Sequence, residues 1–163
     1  MKVWYFHGLE SKVGGPKVDF LKEVATEVYA PEMNYSRHKL FGELFRKITK
    51  EGSPDLIIGS SMGGFFADAL ASHFGINVLL FNPALHSRPI VSKLPYGNNF
   101  GKRFIVLGTE DKVIDYKVSL DLIRNNEAFN TSTDSILLVP MGHRTPLNKF
   151  IDIYNENILS EIS

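Results

Sequence analysis

Asp55-Leu56-Ile57-Ile58-Gly59-Ser60-Ser61-Met62-Gly63-Gly64 runs an apolar, strand-like stretch into a Gly-x-Ser-x-Gly turn. A helical pattern follows at once, with Phe65, Phe66, Ala69, Leu70 and Phe74 on its apolar positions and Gly75 as a suitable C-terminal stop. A residue forced into so tight a strand-to-helix bend has its side chain pushed above the sheet. Only small neighbours such as Gly59 and Gly63 let the chain fold back without a clash. Ser61 is therefore the candidate nucleophile, and the Met62 N–H at the start of the helix is left free to donate. Gly and Ser are common residues, so the pattern decides little until its context is read.

That context is a series of apolar runs, each ending in a chemically suggestive turn. Val3-Trp4-Tyr5-Phe6 precedes His7-Gly8, and Val78-Leu79-Leu80-Phe81 precedes Asn82-Pro83. Phe104-Ile105-Val106-Leu107 precedes Gly108-Thr109-Glu110-Asp111, and Ile136-Leu137-Leu138-Val139 precedes Met141-Gly142-His143. Near-continuous Val/Ile/Leu runs separated by helix-length segments indicate a parallel sheet buried on both faces. The expected fold class is α/β, a three-layer sandwich with a mostly parallel central sheet of about six strands. Ligands of such sheets lie beyond the carboxyl ends of the strands, where Ser61, Asp111 and His143 would converge.

Helices are expected from Pro16, with Phe20, Leu21 and Val24 as the apolar stripe; over Leu40 to Ile48; after Ser61; from about Tyr116 to Asn125; and from about Asn148 to Leu159. A short strand is expected around Val28-Tyr29-Ala30. The long irregular stretch from Pro83 to Lys102, rich in Pro, Gly and Asn, is where a substrate-covering insertion would sit.

Composition narrows the class. At 163 residues the chain is read as one domain. Eighteen Lys plus Arg balance eighteen Asp plus Glu without a long run of either sign, so no footprint for nucleic acid or an anionic membrane is present. The expected partner is a small molecule, not strongly charged. Cysteine is absent, which removes disulfides, thiolate metal sites and a cysteine nucleophile. No signal peptide or membrane span is read, so a cytoplasmic location is the expectation. No His-x-x-x-His or similar spacing suggests a metal, and no Gly-x-Gly-x-x-Gly follows the first strand, so neither metal nor cofactor is expected.

An alkyl hydroxyl is a poor nucleophile at neutral pH; it needs a base, and the base needs an acid to fix its tautomer. Of five histidines, His143 follows the last strand in a Gly-flanked turn and is the preferred base. His73 falls in the last turn of a helix, His38 precedes one, and His86 follows the fourth strand's turn, where it would line the pocket or serve only the loop. Asp111 comes first after the fifth strand and is preferred over Asp115, which suits a helix N-cap, and over Glu110. The oxyanion of an acyl-transfer intermediate needs two donors. Met62 N–H is one candidate and Leu9 N–H, in the His7-Gly8-Leu9 turn, the other. His7 and Gly8 would shape that turn, and Pro83 and His86 would border the substrate.

These residues together resemble the α/β-hydrolase superfamily, in the order Ser, Asp, His. The small size, the Asn82-Pro83-Ala84 turn and the Asp111-to-Asp115 segment are similar, more narrowly, to the YqiA-like esterases. The resemblance implies Ser61 as nucleophile, Asp111 as acid, His143 as base and backbone donors at Leu9 and Met62. It also implies a strand order in which the second strand flanks the first and the rest follow in sequence. It departs from the superfamily plan in length: about twenty residues between Asn82 and Arg103 cannot form a full cap domain.

The expected activity is hydrolysis of small carboxylic esters through an acyl-enzyme, with thioester or amide cleavage as variants. A catalytically silent fold that binds a ligand or protein is the competing reading, against which the complete set of Ser, Asp, His and donor turns argues. With no cap, the walls available to a substrate are Leu9 to Gly15, Pro83 to His86, and whatever part of Leu94 to Phe100 folds inward.

Overall fold

The computed structural model describes residues 1–87, 93–126 and 134–162. Six strands, β1 (Lys2–Phe6), β2 (Glu27–Tyr29), β3 (Leu56–Ser60), β4 (Asn77–Phe81), β5 (Arg103–Gly108) and β6 (Asp134–Val139), form one parallel sheet. Their order is β2-β1-β3-β4-β5-β6, the order that the resemblance implied. Successive strand residues point to opposite faces. In β1, β3, β4 and β5 both faces are buried, which is why they read as unbroken apolar runs. The edge strands β2 and β6 are only partly buried, and β6 leaves Ile136 and Leu138 exposed, contrary to the burial its apolar run suggests. Trp4, Phe6, Ile57, Val78, Leu80, Ile105 and Leu107 face one layer; Val3, Tyr5, Leu56, Ile58, Leu79, Phe81, Phe104 and Val106 face the other.

Helices close each layer. On the first face lie α2 (Leu40–Glu51), α3 (Met62–Ala71) and α4 (Tyr116–Asn125), through Leu40, Leu44, Ile48, Phe65, Phe66 and Ile123. On the second lie α1 (Pro16–Val24) and α5 (Leu147–Tyr154), which runs on into a π-helical turn over Asn155–Leu159. The stripe of α1 is turned from expectation: Val18 and Leu21 are buried, Phe20 is half-buried and Val24 is exposed. The last helix begins one residue earlier than expected and is α-helical only to Tyr154. The crossover from β4 to β5 carries no helix among its described residues.

All ten residues of α3 are buried, including Asp68. An isolated carboxylate there would be costly, and two groups meet it, one of them shared with a second carboxylate. Tyr96 donates its hydroxyl to Oδ2 at 2.9 Å, the Arg103 guanidinium lies 3.7 Å from Oδ1, and Asp134 accepts two 2.7 Å bonds from the same guanidinium. Burial still dominates and pushes the Asp68 carboxyl up to about 6.

Tyr96 belongs to the Pro83-to-Lys102 stretch, the place for a substrate-covering insertion, and the part of it from Leu94 to Phe100 folds elsewhere. Gly97 N–H donates to Ser72 Oγ (2.8 Å), Asn99 N–H to Ser72 O (2.9 Å), and His73 Nε2 to Pro95 O (3.0 Å). These contacts cluster at the C-terminal end of α3, some 15 Å along a ten-residue helix from Ser61. Leu94 to Phe100 therefore braces the far end of α3 and forms no wall of the cleft described next. Residues 88–92 of the expected insertion lie outside the described residues. No helix among the described residues is long and apolar enough to cross a membrane.

Candidate active site

Ser61 sits between β3 and α3 at φ 54°, ψ −118°, a left-handed position that a non-glycine residue adopts only when its surroundings over-determine it. Here they do. Ser61 N–H is tied to Phe81 O (2.9 Å), and its carbonyl accepts from Ala84 N–H (2.9 Å) and Phe65 N–H (3.2 Å). The bend brings α3 so close to the sheet that a Cβ on Gly59 would stand 2.4 Å from Gly63 O, and one on Gly63 would stand 2.2 Å from Phe6 O. No side chain fits at either place.

His143 lies in the turn after β6 and Asp111 in the turn after β5. His143 Nε2 is 3.1 Å from Ser61 Oγ, and Nδ1 is 2.8 Å from Asp111 Oδ2. A carboxylate only accepts, so Nδ1 carries the proton and donates to Asp111. That leaves the Nε2 lone pair to accept from the serine hydroxyl. Asp111 is itself held: its Oδ1 accepts from Val113 N–H (2.7 Å) and Ile114 N–H (2.9 Å). Asp115 is the N-cap of α4, accepting from Lys117 N–H at 2.9 Å, and Glu110 is exposed. Of the three acids weighed on sequence, Asp111 is the one at His143.

The turn after β1 passes directly over the serine, since a Cβ on Gly8 would lie 3.4 Å from Ser61 Cβ. His7 is buried and sets the turn's shape. Its Nε2 accepts from Met33 N–H (3.0 Å), so Nδ1 is the protonated nitrogen and donates to Gly8 O at 2.7 Å. Gly8 O also accepts from Ser11 N–H (3.2 Å), and Tyr35 donates its hydroxyl to His7 O. In a trans peptide C=O and N–H are antiparallel, so the Leu9 N–H points away from His7. Neither it nor the Met62 N–H has a hydrogen-bond acceptor among the described residues. Met62 opens α3, where the helix dipole adds to the donor's pull.

A cleft of about 460 Å³ opens over Ser61, between Gly8-Leu9-Glu10-Ser11 on one side and Val113 and His143-Arg144-Thr145 on the other. A second cavity of about 300 Å³ adjoins it, with Tyr5, Ser11 and Lys17 shared, and reaches His7, Lys12 and the start of α1. Pro83 and His86 line neither. Pro83 is buried against α3, where a Cβ on Gly64 would meet it at 2.9 Å, and His86 donates from Nε2 to Asp115 O at 3.3 Å. His73 packs among Phe41, Phe45 and Phe74.

One residue of the site is not evident in the sequence. Asn82, 1% exposed and at φ 43°, donates from Nδ2 to the carbonyls of Gly142 (3.1 Å) and His143 (3.0 Å) and accepts at Oδ1 from Gly108 N–H (2.7 Å). It ties the histidine turn to the ends of β4 and β5. The Asn-Pro turn marks only a strand end; the bonds depend on three turns that meet in space. Among the described residues no three His, Asp or Glu stand together as a metal site would need.

Residues 2–94 match the Uncharacterised protein family (UPF0227), and the chain belongs to that family. A comparison with curated protein sequences finds no significant relative. Among solved structures, the chain is similar to a monoacylglycerol lipase of Paleococcus ferrophilus, with a TM-score of 0.74 at 14% identity over 98% of this chain and 93% of that one. Est1E from Butyrivibrio proteoclasticus superposes with a TM-score of 0.72 at 14% identity, over 98% and 87% of the two chains. The Pyrococcus furiosus esterase Pf2001 gives 0.67 at 14% identity, over 99% and 80%. At such identities the likeness establishes the α/β-hydrolase fold.

Proposed function

We propose that this UPF0227 chain is a single-domain serine hydrolase that cleaves small carboxylic esters through an acyl-enzyme on Ser61. The observation that carries the reading is the continuous hydrogen-bonded chain from Ser61 Oγ through His143 to Asp111, on a serine held at a strained backbone angle. Strain of that kind costs on the order of 1–3 kcal/mol and concentrates at functional positions.

In the acylation step Ser61 Oγ attacks the ester carbonyl carbon and gives its proton to His143 Nε2, while Asp111 steadies the imidazolium. The carbonyl oxygen becomes an oxyanion facing the N–H groups of Leu9 and Met62. Its collapse breaks the bond to the alkoxy oxygen, which takes the proton from Nε2 and leaves as the alcohol. Water then attacks the acyl-serine, loses a proton to Nε2, and the acid departs as Oγ recovers that proton. Thioesters and amides would follow the same route with a different leaving atom.

The test is a fluorophosphonate probe followed by peptide mapping. Labelling is expected at Ser61, and Ser61→Ala should abolish it and lower ester turnover on the order of a millionfold. Full retention of ester hydrolysis in that variant would sink the reading.

A further inference from the structure

The two joined cavities carry more positive charge than ester hydrolysis needs. Lys17 is half-buried and reaches both; its ammonium lies 5.6 Å from the centre of the Phe150 ring, and no carboxylate among the described residues pairs with it. Arg144, next to the histidine, lines the cleft and is likewise unpaired among the described residues. Lys12 borders the outer cavity, and Glu10, exposed, is the one carboxylate on either wall among the described residues. Burial first, and the Arg144 guanidinium second, push the Lys17 ammonium below its ordinary value. Two cations that repel each other across a cleft, one of them partly desolvated, are relieved by an anion between them.

A hydroxyl completes the set. Tyr5 is 8% exposed, lines both cavities, and its OH has no partner among the described residues. Burial raises it to about 12, so at neutral pH it remains a donor.

We propose that the substrate carries an anionic group, a carboxylate or a phosphate, held by Lys17 and Arg144 with the Tyr5 hydroxyl while its ester lies at Ser61. This deepens the serine-hydrolase reading and rests on it for the ester. It also amends the expectation from net charge, since a neutral chain can still concentrate positive charge in one cleft.

Matched substrates test it. Monomethyl adipate against dimethyl adipate varies a carboxylate; 1-butyrylglycerol 3-phosphate against 1-butyrylglycerol varies a phosphate. At low ionic strength at least one anionic member should show a kcat/KM about tenfold or more above its neutral partner, and the larger ratio tells which anion the site takes. Lys17→Gln and Arg144→Gln should each reduce that ratio about tenfold, whereas Lys17→Arg should keep most of it. Ratios near one for both pairs, or a preference that survives both glutamine variants, would overturn the proposal and leave the hydrolase reading standing. If no ester is cleaved, the hydrolase reading fails and calorimetry with adipate and glycerol 3-phosphate decides the anion site. Binding lost in the glutamine variants upholds it; no binding by the unaltered protein overturns it.

Discussion

Asp111 spends both carboxylate oxygens within the site, Oδ2 on the histidine and Oδ1 on two backbone N–H groups that fix its direction. Asp115, four residues on, spends its carboxylate on capping a helix. Asp111→Asn should therefore lose about 10⁴-fold in turnover, because the amide favours the wrong histidine tautomer, while Asp115→Asn loses far less. The reverse ranking by steady-state kinetics would transfer the role to Asp115. Asn82 acts one step further back, through the backbone of the histidine turn. Asn82→Asp keeps the side chain's size but withdraws the donors to Gly142 and His143 and sets a carboxylate beside them. Turnover should fall about 10–100-fold from misplacement of the base. A variant that only melts earlier, with turnover unchanged below its melting temperature, would reduce Asn82 to a structural tie. The convergence of Ser61, Asp111 and His143 was legible because each lies in the turn that closes an apolar run. Asn82 was not, because its partners lie 26, 60 and 61 positions away.

The inner strands β1, β3, β4 and β5 were legible for a related reason: a strand buried on both faces writes itself as uninterrupted Val, Ile, Leu and Phe, although β6 carries the same pattern on an edge that leaves Ile136 and Leu138 exposed. Helix faces were less so. A helix on a sheet turns to suit its neighbours: α1 buries Val18 and Leu21 in the core and sets Phe20 edge-on against Phe150 and Tyr154 of α5, contacts that no local pattern encodes. Where Leu94 to Phe100 folds is not legible, because a Pro/Gly/Asn-rich stretch shows only that the chain is irregular, and its hydrogen bonds to α3 arise from the buried polar groups waiting there. The sharpest of these is Asp68. Its folded carboxyl sits at about 6, above the ordinary 3.8, so the folded protein holds the proton more tightly than the unfolded one. The resulting stability is complete below about pH 4 and is lost as pH rises through about 6. Asp68→Asn makes the neutral form permanent and keeps an acceptor for Tyr96. Its melting temperature relative to the unaltered protein should be more favourable at pH 8 than at pH 4. An equal difference at both pH values would mean that the Arg103 pair, and not burial, governs this carboxylate.

Ser61, Asp111 and His143 lie at the carboxyl ends of the strands, and the hydrogen bonds that Tyr96, Gly97 and Asn99 make with Asp68 and Ser72 lie toward the other end of α3. That separation leaves Ser61 under a cleft walled by the turns after β1, β5 and β6 and by Lys17 of α1, and it bears on the length of the acyl chain. Each methylene buried contributes about 0.8 kcal/mol, but only where protein surface surrounds it. Leu9, Val113 and the Tyr5 ring offer apolar surface near Ser61, while Glu10, Ser11, Lys17, Arg144 and Thr145 set polar or charged groups around it. A short acyl group can rest between Leu9 and Val113; the further carbons of a long one would extend over charged side chains and into water. On a series of p-nitrophenyl esters kcat/KM should therefore peak at short acyl chains and then level or fall. A value that keeps climbing through long-chain esters would require an apolar cover over the cleft that these walls do not supply, and it would move the reading toward a lipase or a long-chain thioesterase.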